Sequence, residues 1–427
     1  MLVTDINASI EFEVTKAFMK PQKKILVVCQ HFWPETFRIN DVCDFLIEKK
    51  CKIDVLCGIP NYPKGEFFED YGIFKNRRQV HNGINIRRAF EINRGNNKNL
   101  KIFLNYISFP IASIFHIPRL LTRKYDKIFI YQLSPVMMSI AGILIGKIKK
   151  TETTMYVLDL WPENLFSVLD IKNPFLRKLT TKISHWHYRK VDKLVVLSET
   201  MKRHLEKVVN LPADKIIVLP QVCEKVYEKD VFDKTIHTKY NKGFNILYTG
   251  NISPAQSFQT MIQAAKSLVD ESFKDINWII IGDGMSRNWV ESEVEKNNLS
   301  EYFYFEGTKP IEDIPKYSPV ADALIGCLVK SDLLEATIPA KVMSYIAGGR
   351  PILLAMDGEV RDLIENKIKC GFVSTTEDPE ELVKNIKKLY HMTPGERDKM
   401  GKLARDYHFK YFERNTSLQK LHDFMFS

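Results

Sequence analysis

The chain has 427 residues, of which 45% are hydrophobic and 27% are charged. These values are typical of globular proteins and exclude a disordered or fibrous chain, while the length favours two domains. The net charge is +10, and the segment 74–127 holds twelve lysines and arginines against two acidic residues. A basic region beside apolar stretches favours an anionic membrane surface or a nucleic acid as partner, although a solvated basic face is an alternative.

The seven cysteines form no Cys-x-x-Cys pair, which favours a reducing compartment without a metal framework. His185 and His187 would point to different faces of a helix, so no zinc pair is predicted. Residues 1–22 lack the continuous apolar core of a signal peptide and are interpreted as an N-terminal extension. The apolar windows 102–121 and 133–146 are interrupted by polar residues or too short to span a bilayer. We therefore predict a cytoplasmic location.

Short β-branched runs alternate with helical patterns from Lys24 onwards, which is typical of parallel α/β sheets with crossover helices. The predicted strands of the first half are Ile25–Val28, Ile53–Leu56, Ile128–Tyr131, Met155–Leu158, Leu194–Leu197 and Ile216–Leu219. Those of the second half are Asn245–Tyr248, Trp278–Ile281, Tyr302–Phe305, Ala323–Ile325, Ile352–Leu354 and Gly371–Val373. The charged segment 221–243 has no strand-like run and is the predicted linker. The sequence thus predicts two Rossmann-like domains, 23–220 and 244–427, with a C-terminal helix that returns towards the first.

Polar residues directly after predicted strands are candidate ligand contacts, because open parallel sheets bind ligands at the carboxyl ends of their strands. In the first domain these candidates are His31, Trp33, Glu35, Asp159, Trp161 and Glu163. In the second domain they are Gly250, Asn251, Gln256, Gly282, Gly284, Gly307 and Thr308. The Gly282–Gly284 turn lacks the third glycine of a dinucleotide fingerprint, so a plain turn is an alternative there.

The stretch 337–354 predicts a helix followed by a buried strand. Pro339 suits the first turn of a helix, and the Gly348-Gly349 pair predicts its end. Lys341 would then lie in the first turn, with Ser344 and Tyr345 on the same face. A lysine gains nothing from the dipole at a helix N-terminus, so this pattern indicates a bound phosphate. The alternative is a solvated lysine on a surface helix.

Several catalytic motifs are absent from the sequence. There is no G-x-x-x-x-G-K-[ST], no G-x-S-x-G, no H-E-x-x-H and no Asp-x-Asp of the kind that holds a metal beside a diphosphate. A diphosphate leaving group without a metal must be neutralised by protein donors, which again favours Lys341.

Six motifs together resemble GT-B glycosyltransferases of family 4, in the WbuB-like branch of bacterial O-antigen and capsule sugar transferases. In family order they are Asn61–Gly65, Asp159–Glu163, Leu247–Gln256, Ile281–Gly284, Ile338–Lys341 and Ala347–Pro351. The resemblance implies two Rossmann-like domains that face each other across a cleft, and a retaining transfer from a nucleotide-diphosphate sugar. It implies a UDP-linked sugar, an N-acetylated or deoxyamino sugar being one candidate, and no metal or other cofactor.

The resemblance also implies individual roles. The residues expected to bind the donor are Gly250, Asn251, Gln256, Gly282, Gly284, Gly307, Thr308, Lys341, Ser344 and Tyr345. Asp159 would contact the transferred sugar or the acceptor hydroxyl, and Asp159 and Lys341 are the expected catalytic residues. Family members usually have Glu where Ser344 stands and often Gly where Ser257 stands. A serine cannot make the bidentate ribose contact of a carboxylate, so the resemblance leaves nucleotide preference open.

The expected acceptor is a polyprenyl-diphosphate-linked saccharide, bound by the first domain through His31, Trp33, Glu35, Trp161 and Glu163. A lipid acceptor places the protein on the inner face of the cell membrane, with Arg87, Arg88, Lys98 and Lys101 facing an anionic surface. The apolar run beside these charges fits a lipid interface better than a nucleic acid. Two alternatives are a sugar-nucleotide 2-epimerase of the same fold, for which no paired acid and base residues are found, and a catalytically dead nucleotide-binding homologue.

Overall fold

A computed structural model of the chain describes residues 22–62, 65–95, 99–163, 165–166, 173–209 and 211–427. Backbone contacts divide it into two compact units. The first comprises the described residues up to Val196 together with Leu205–Ile217 and Leu421–Ser427, and the second comprises Leu197–His204 and Val218–Lys420. The predicted linker 221–243 therefore belongs to the second unit. Most of the predicted N-terminal extension lies outside the described residues.

Within the described residues, the first unit contains an eight-stranded sheet. Its strands are β1 Lys24–Cys29, β2 Lys52–Cys57, β3 Arg78–His81, β4 Ile84–Arg88, β5 Lys127–Gln132, β6 Thr153–Val157, β7 Lys193–Val196 and β8 Ile216–Val218. Their order across the sheet is β3-β4-β2-β1-β5-β6-β7-β8. Its helices are α1 Arg38–Glu48, α2 Asn99–Ile114, α3 Ile117–Leu121, α4 Ile140–Lys149 and α5 Pro174–Tyr188. Helix α6, Glu199–Val208, is divided between the two units.

All six strands predicted in the first half are present, and β4, β2, β1, β5, β6 and β7 pair in parallel. The sequence analysis missed the hairpin of β3 and β4, whose strands pair antiparallel. Both strands are short and carry arginines, so they lack the apolar run of a buried strand. The Asn82-Gly83 pair between them is the turn signal that could have revealed the hairpin.

The second unit contains a six-stranded parallel sheet in the order β11-β10-β9-β12-β13-β14. Its strands are β9 Phe244–Thr249, β10 Ile276–Ile281, β11 Phe303–Gly307, β12 Ala323–Cys327, β13 Ile352–Ala355 and β14 Gly371–Ser374, and each contains most or all of a predicted run. Its helices are α7 Lys234–Lys239, α8 Phe258–Asp270, α9 Arg287–Lys296, α10 Asp332–Glu335, α11 Ala340–Gly348, α12 Glu359–Arg361, α13 Pro379–Tyr390 and α14 Pro394–Tyr407. Helix α15, Arg414–Phe426, is divided between the two units.

Shorter helical turns complete the chain. The 3-10 turns are Val136–Ser139, Ala213–Lys215, Lys225–Glu228, Pro254–Gln256, Ile311–Lys316 and Ser318–Val320. The π-helical segments are Asp362–Ile368 and His408–Phe412.

Both faces of the second sheet are covered by apolar cores. Ile246 and Tyr248 of β9 pack into one cluster, whereas Leu247 between them packs into the other. Successive side chains of a strand point to opposite faces, so this division places one core on each side of the sheet. The double burial explains why the strands read as continuous apolar runs in the sequence.

The helix predicted in the stretch 337–354 is α11, and its limits follow the expected punctuation. Pro339 precedes the first helical residue, Ala340, and the helix ends at Gly349 in the left-handed conformation, with φ 64°. Lys341 therefore lies in the first turn, as predicted. The buried strand β13 follows directly.

Candidate functional site

Lys341 lies at the carboxyl edge of the second sheet, where α11 begins. Its Nζ is 2.5 Å from Gln256 Oε1 and 3.8 Å from the centroid of the Tyr248 ring. The Tyr248 hydroxyl donates to the backbone oxygen of Asn251 at 2.7 Å. Among the described residues, no carboxylate forms an ion pair with Lys341. The lysine is thus held by an amide oxygen and an aromatic face, which leaves its positive charge unneutralised.

Burial lowers the pKa of Lys341 to about 7. The cause is the loss of hydration around the ammonium group, which disfavours its charged form. The contacts of its Nζ with Gln256 Oε1 and the Tyr248 ring also argue against the alternative of a solvated surface lysine. An anion placed beside the side chain would favour the protonated form and raise this pKa, so the position is suited to a negatively charged ligand.

The loops beside Lys341 approach each other closely. A side chain on Gly282 would have its Cβ 1.9 Å from the backbone oxygen of Gly250, and Gly282 has φ 142°, so only glycine fits there. A Cβ on Gly284 would lie 2.4 Å from Oδ1 of the exposed Asn251. The N–H of Gly250 donates to Ile281 O at 2.9 Å. That N–H is therefore used within the sheet and is not available to a ligand.

Two further candidates on α11 differ in their surroundings. The Tyr345 hydroxyl donates to Ile325 O at 2.9 Å and accepts from Thr249 N at 3.1 Å, so it ties the ends of β9 and β12 together. Ser344 is half-buried on the same helix. Tyr345 therefore has a structural role that the sequence analysis did not anticipate.

Ser257 occupies a backbone conformation that favours glycine. Its φ is 29°, and its hydroxyl lies 2.8 Å from Thr260 Oγ1. The left-handed region is strained for a residue with a Cβ, so the glycine that the resemblance leads us to expect at this position would relieve that strain.

Gly307 is the last residue of β11 and Thr308 follows it, next to the Gly282 loop. The Gly282 N–H donates to Gly307 O at 2.9 Å, and Thr308 is exposed. A Cβ on Gly307 would lie 3.7 Å from the guanidinium of Arg287, which forms ion pairs with Asp283 and Glu291. Arg287 was missed by the sequence analysis, because nothing in its local sequence distinguishes it from an ordinary helix-surface arginine.

In the first unit, His31 and Glu35 form a buried pair after β1. The His31 Nδ1 lies 3.1 Å from both carboxylate oxygens of Glu35, and Oε1 also accepts from the backbone N–H groups of Asn61 and Tyr62. Among the residues that the structure describes, none hydrogen-bonds to the buried Nε2 of His31. Trp33 stacks on His81 with a centroid separation of 3.9 Å. Glu35 therefore orients the imidazole and the loop after β2.

Asp159 lies directly after β6 and is held by Ser134. Its Oδ2 accepts from the Ser134 N–H at 2.9 Å and from the Ser134 hydroxyl at 2.8 Å. Burial raises the pKa of Asp159, and the hydrogen bonds from Ser134 oppose that rise. Trp161 is buried and donates its indole N–H to Ser134 Oγ at 2.9 Å, whereas Glu163 is half-buried. Ser134 is a site residue that the sequence analysis missed.

A polar cluster that the sequence analysis also missed lies around Glu91. Its Oε1 accepts from Gln30 Nε2 and Asn105 Nδ2, each at 2.6 Å, and its Oε2 is buried without a partner. Burial raises the pKa of Glu91 to about 6. From the sequence, Glu91 is only one of two acidic residues in a basic segment. Its environment could not be predicted, because its amide partners Gln30 and Asn105 are distant in the chain.

Arg94 lies beside the Glu91 cluster, and its guanidinium packs over two rings. The centroids of Tyr62 and Tyr106 are 5.6 and 5.7 Å away, and Nε donates to Asn105 Oδ1 at 3.3 Å. Tyr106 in turn contacts Trp161 with a centroid separation of 6.1 Å. Ring contacts and hydrogen bonds thus connect Arg94 to the neighbourhood of Asp159.

The four basic residues expected to face a membrane have different surroundings. Arg88 is fully buried, donates to the backbone oxygens of Trp33 and Asn76 at 2.9 Å each, and so cannot face a lipid surface. Arg87 is half-buried and Lys101 is exposed, whereas Lys98 lies outside the described residues. The prediction for Arg88 is wrong because backbone carbonyls from two distant loops enclose its charge.

Among the described residues, no group of three or more His, Cys, Asp or Glu side chains could hold a metal ion. None of the described helices combines the length and apolar character needed to cross a membrane. All seven cysteines are buried and free.

Comparison with known proteins adds a family and a fold. Residues 231–407 match the family described as Glycosyl transferases group 1. The chain is 22% identical over 414 residues to the putative colanic acid biosynthesis glycosyl transferase WcaI of Escherichia coli (strain K12), which covers 93% of this chain and 98% of WcaI. The solved sucrose-phosphate synthase of Thermosynechococcus elongatus matches with a TM-score of 0.71 at 12% identity, over 94% of this chain and 98% of its own. Anabaena HepE in complex with UDP matches with a TM-score of 0.69 at 14% identity, over 94% and 99%.

The solved structures establish the fold, which is GT-B with two parallel-sheet α/β units. The family match lies within the second unit, which also holds Lys341 and the glycine loops. Residues 231–407 are therefore similar to the family described as Glycosyl transferases group 1, within a chain of GT-B fold.

Proposed function

We propose that the protein is a retaining glycosyltransferase that moves a sugar from a UDP-linked donor to a lipid-linked saccharide in bacterial surface polysaccharide synthesis. The second unit binds the donor, and the first unit binds the acceptor. The family 4 membership, the WbuB-like branch and the transfer of a hexosyl or N-acetylhexosaminyl group are parts of this proposal. The similarity to WcaI along most of both chains supports it, as does the UDP complex of HepE.

The environment of Lys341 is the observation that carries the proposal. The half-buried Lys341, which has no acidic partner among the described residues, lies in the first turn of α11, where the helix N–H groups also favour an anion. A nucleoside diphosphate would neutralise this charge.

In the proposed reaction, the acceptor oxygen forms a bond to the anomeric carbon while the bond from that carbon to the diphosphate oxygen breaks. The acceptor proton passes to the leaving phosphate oxygen, so the products are a glycoside and UDP. Lys341 stabilises the negative charge that develops on the diphosphate. Asp159, fixed by Ser134, orients the transferred sugar or the acceptor hydroxyl. No metal ion takes part in this proposal.

The acceptor side of the proposal rests on the polar residues at the carboxyl ends of β1, β4 and β6. His31 offers a buried Nε2 without a protein partner, and Arg94 offers guanidinium N–H groups beside two tyrosine rings. Hydrogen-bond donors over aromatic faces suit a saccharide that carries phosphate. Arg94 is therefore added to the predicted acceptor-side residues His31, Trp33, Glu35, Trp161 and Glu163.

A lipid-linked acceptor requires contact with the cell membrane, and two helices of the first unit support that part of the proposal. Helix α2 and the residue after it expose apolar side chains at Phe103, Leu104, Ile111, Ile114 and Phe115. Helix α5 exposes Phe175, Leu176, Leu179, Ile183 and Trp186, which recur on one helical face. Basic residues flank both helices, as in helices that lie in a lipid interface.

Incubation with single nucleotide sugars, with and without a lipid-linked saccharide, tests the proposal. A transferase releases UDP only when the acceptor is present. Conversion of the free donor to its 2-epimer without acceptor would instead identify an epimerase. Binding of UDP without any turnover would identify the catalytically dead homologue. The Asp159→Asn variant is the matched control, because it should keep UDP binding and lose transfer.

A further inference from the structure

The edge of the first sheet has a basic cavity that includes Arg87, one of the basic residues expected to face a membrane. The cavity has a volume of about 330 Å³ and lies between the β3–β4 hairpin, β2 and α3. Its charged lining residues are Arg78, Arg87, Arg119, Arg123 and Asp54. These residues do not belong to the strand ends that hold the candidate acceptor site, so the cavity needs a separate explanation.

Asp54 is the only acidic residue among the described residues that line the cavity, and neighbouring cations already neutralise its charge. Asp54 accepts from the Arg123 guanidinium at 2.8 Å and from the Tyr125 hydroxyl at 2.9 Å, and Lys24 Nζ lies 3.3 Å away. Asn85 donates a further hydrogen bond at 2.9 Å. The carboxylate therefore has no capacity left to balance another cation.

Three arginines remain without an acidic partner among the described residues, namely Arg78, Arg87 and Arg119. Arg78 and Arg87 are directly opposite each other in the antiparallel pair of β3 and β4. Like charges in that position destabilise a hairpin. Burial lowers the pKa of the half-buried Arg87, and the neighbouring Arg119, Arg78 and Arg123 lower it further. This arrangement costs stability unless an anion occupies the cavity.

The neighbouring surface indicates which anion. Planar guanidinium groups form paired hydrogen bonds with phosphate oxygens. Arg119 lies on α3, and the preceding residues Ile114 and Phe115 are 42% and 80% exposed. A phosphate that carries acyl chains would place its charge in the cavity and its apolar part beside these side chains. We propose that Arg78, Arg87 and Arg119 form a binding site for the phosphate of an anionic phospholipid headgroup.

This inference rests on the proposed membrane association, but its test does not depend on sugar transfer. Binding of short-chain phosphatidylglycerol, below its micelle concentration, is measured by calorimetry on the full chain, with inorganic phosphate as a second probe. The Arg87→Gln and Arg119→Gln variants should each weaken lipid binding roughly 10- to 100-fold, because each removes a charge-assisted contact. Lys124→Gln is the control, because it makes the same charge change at an exposed residue that does not line the cavity.

Thermal unfolding separates binding from damage to the fold. Without ligand, Arg78→Gln should unfold at the same temperature as the unmodified protein or higher, because it removes a like-charge pair. The added lipid should raise the unfolding temperature of the unmodified protein more than that of the variant.

Equal lipid affinity in the arginine variants and in Lys124→Gln would overturn the site. Binding of inorganic phosphate without binding of the lipid would overturn the assignment to a headgroup. Lipid binding that depends on these arginines in a protein without transferase activity would leave the site standing and remove the proposed function.

Discussion

Binding of a nucleoside diphosphate should take up a proton at Lys341, so its affinity should fall as the pH rises. Burial holds the pKa of Lys341 at about 7 in the free protein. A diphosphate beside the ammonium group favours the protonated form and raises the pKa in the complex. Phosphate groups have a second pKa of about 6, so the diphosphate itself is almost fully ionised above pH 7. The part of the pH dependence that is lost when Lys341 is replaced by Arg then reports on the lysine.

The size of the effect follows from the two protonation states. With a pKa of about 7, half of the free protein has a charged Lys341 at pH 7 and roughly one molecule in a hundred at pH 9. If the pKa in the complex is near the ordinary lysine value of about 10.4, UDP should bind about 50-fold more weakly at pH 9 than at pH 7. This change corresponds to about 2.3 kcal/mol of binding free energy.

Isothermal titration calorimetry of UDP between pH 7 and pH 9, in buffers of different ionisation enthalpy, measures both the affinity and the proton uptake. Lys341→Arg should bind UDP without this pH dependence, because a guanidinium stays charged throughout the range. Lys266→Met is the matched control, because Lys266 is an exposed lysine on α8 of the same unit. Equal affinity at both pH values, or the same pH dependence in Lys341→Arg, would refute the assignment of the diphosphate to Lys341.

Four further outcomes are expected. Lys341→Ala should lower the transfer rate roughly a hundredfold or more, because one preorganised donor to a leaving-group anion contributes about 3 kcal/mol; near-normal turnover would contradict this role. A chelator should leave turnover unchanged, and recovery of a chelator-sensitive activity by manganese would refute the metal-free proposal. Arg88→Gln should lower the free energy of unfolding by about 3 kcal/mol, because it removes a fully buried, charged side chain that donates to the backbone oxygens of Trp33 and Asn76; an unchanged denaturant midpoint would contradict this. Joint replacement of Arg87 and Lys101 by Gln should weaken binding to anionic vesicles, and binding by the unmodified protein should fall between 0.1 M and 1 M salt as the Debye length shrinks from about 10 to about 3 Å; equal binding to neutral vesicles would exclude this electrostatic contribution.

The strands of both sheets could be predicted because buried parallel strands need continuous apolar runs, and those runs are visible in the sequence. Helix α11 could be predicted because Pro339 and Gly349 mark its two ends through local backbone geometry. The β3–β4 hairpin could not be predicted from apolar runs, because its arginines obscure the strand pattern. Local sequence signals are therefore sufficient to predict an element whose conformation depends mainly on its own residues.

The candidate site was predictable only in part, for the same reason. Lys341 lies in the first turn of a recognisable helix, and Asp159 comes after a recognisable strand. Their positions at the edges of the two sheets could therefore be anticipated. Their partners Gln256 and Ser134 depend on contacts between segments that are far apart in the chain. The burial of Arg88 also depends on such contacts, which the count of charges along the sequence cannot show.

A crystal structure of the protein with UDP would test the contact between the diphosphate and Lys341 directly. We expect a β-phosphate oxygen about 3 Å from Lys341 Nζ, with the uridine towards Gly307 and Thr308. The contact of Lys341 with Gln256 should lengthen or be shared with the phosphate. A structure in which UDP binds elsewhere, while Lys341 still contacts only Gln256 and Tyr248, would contradict the account.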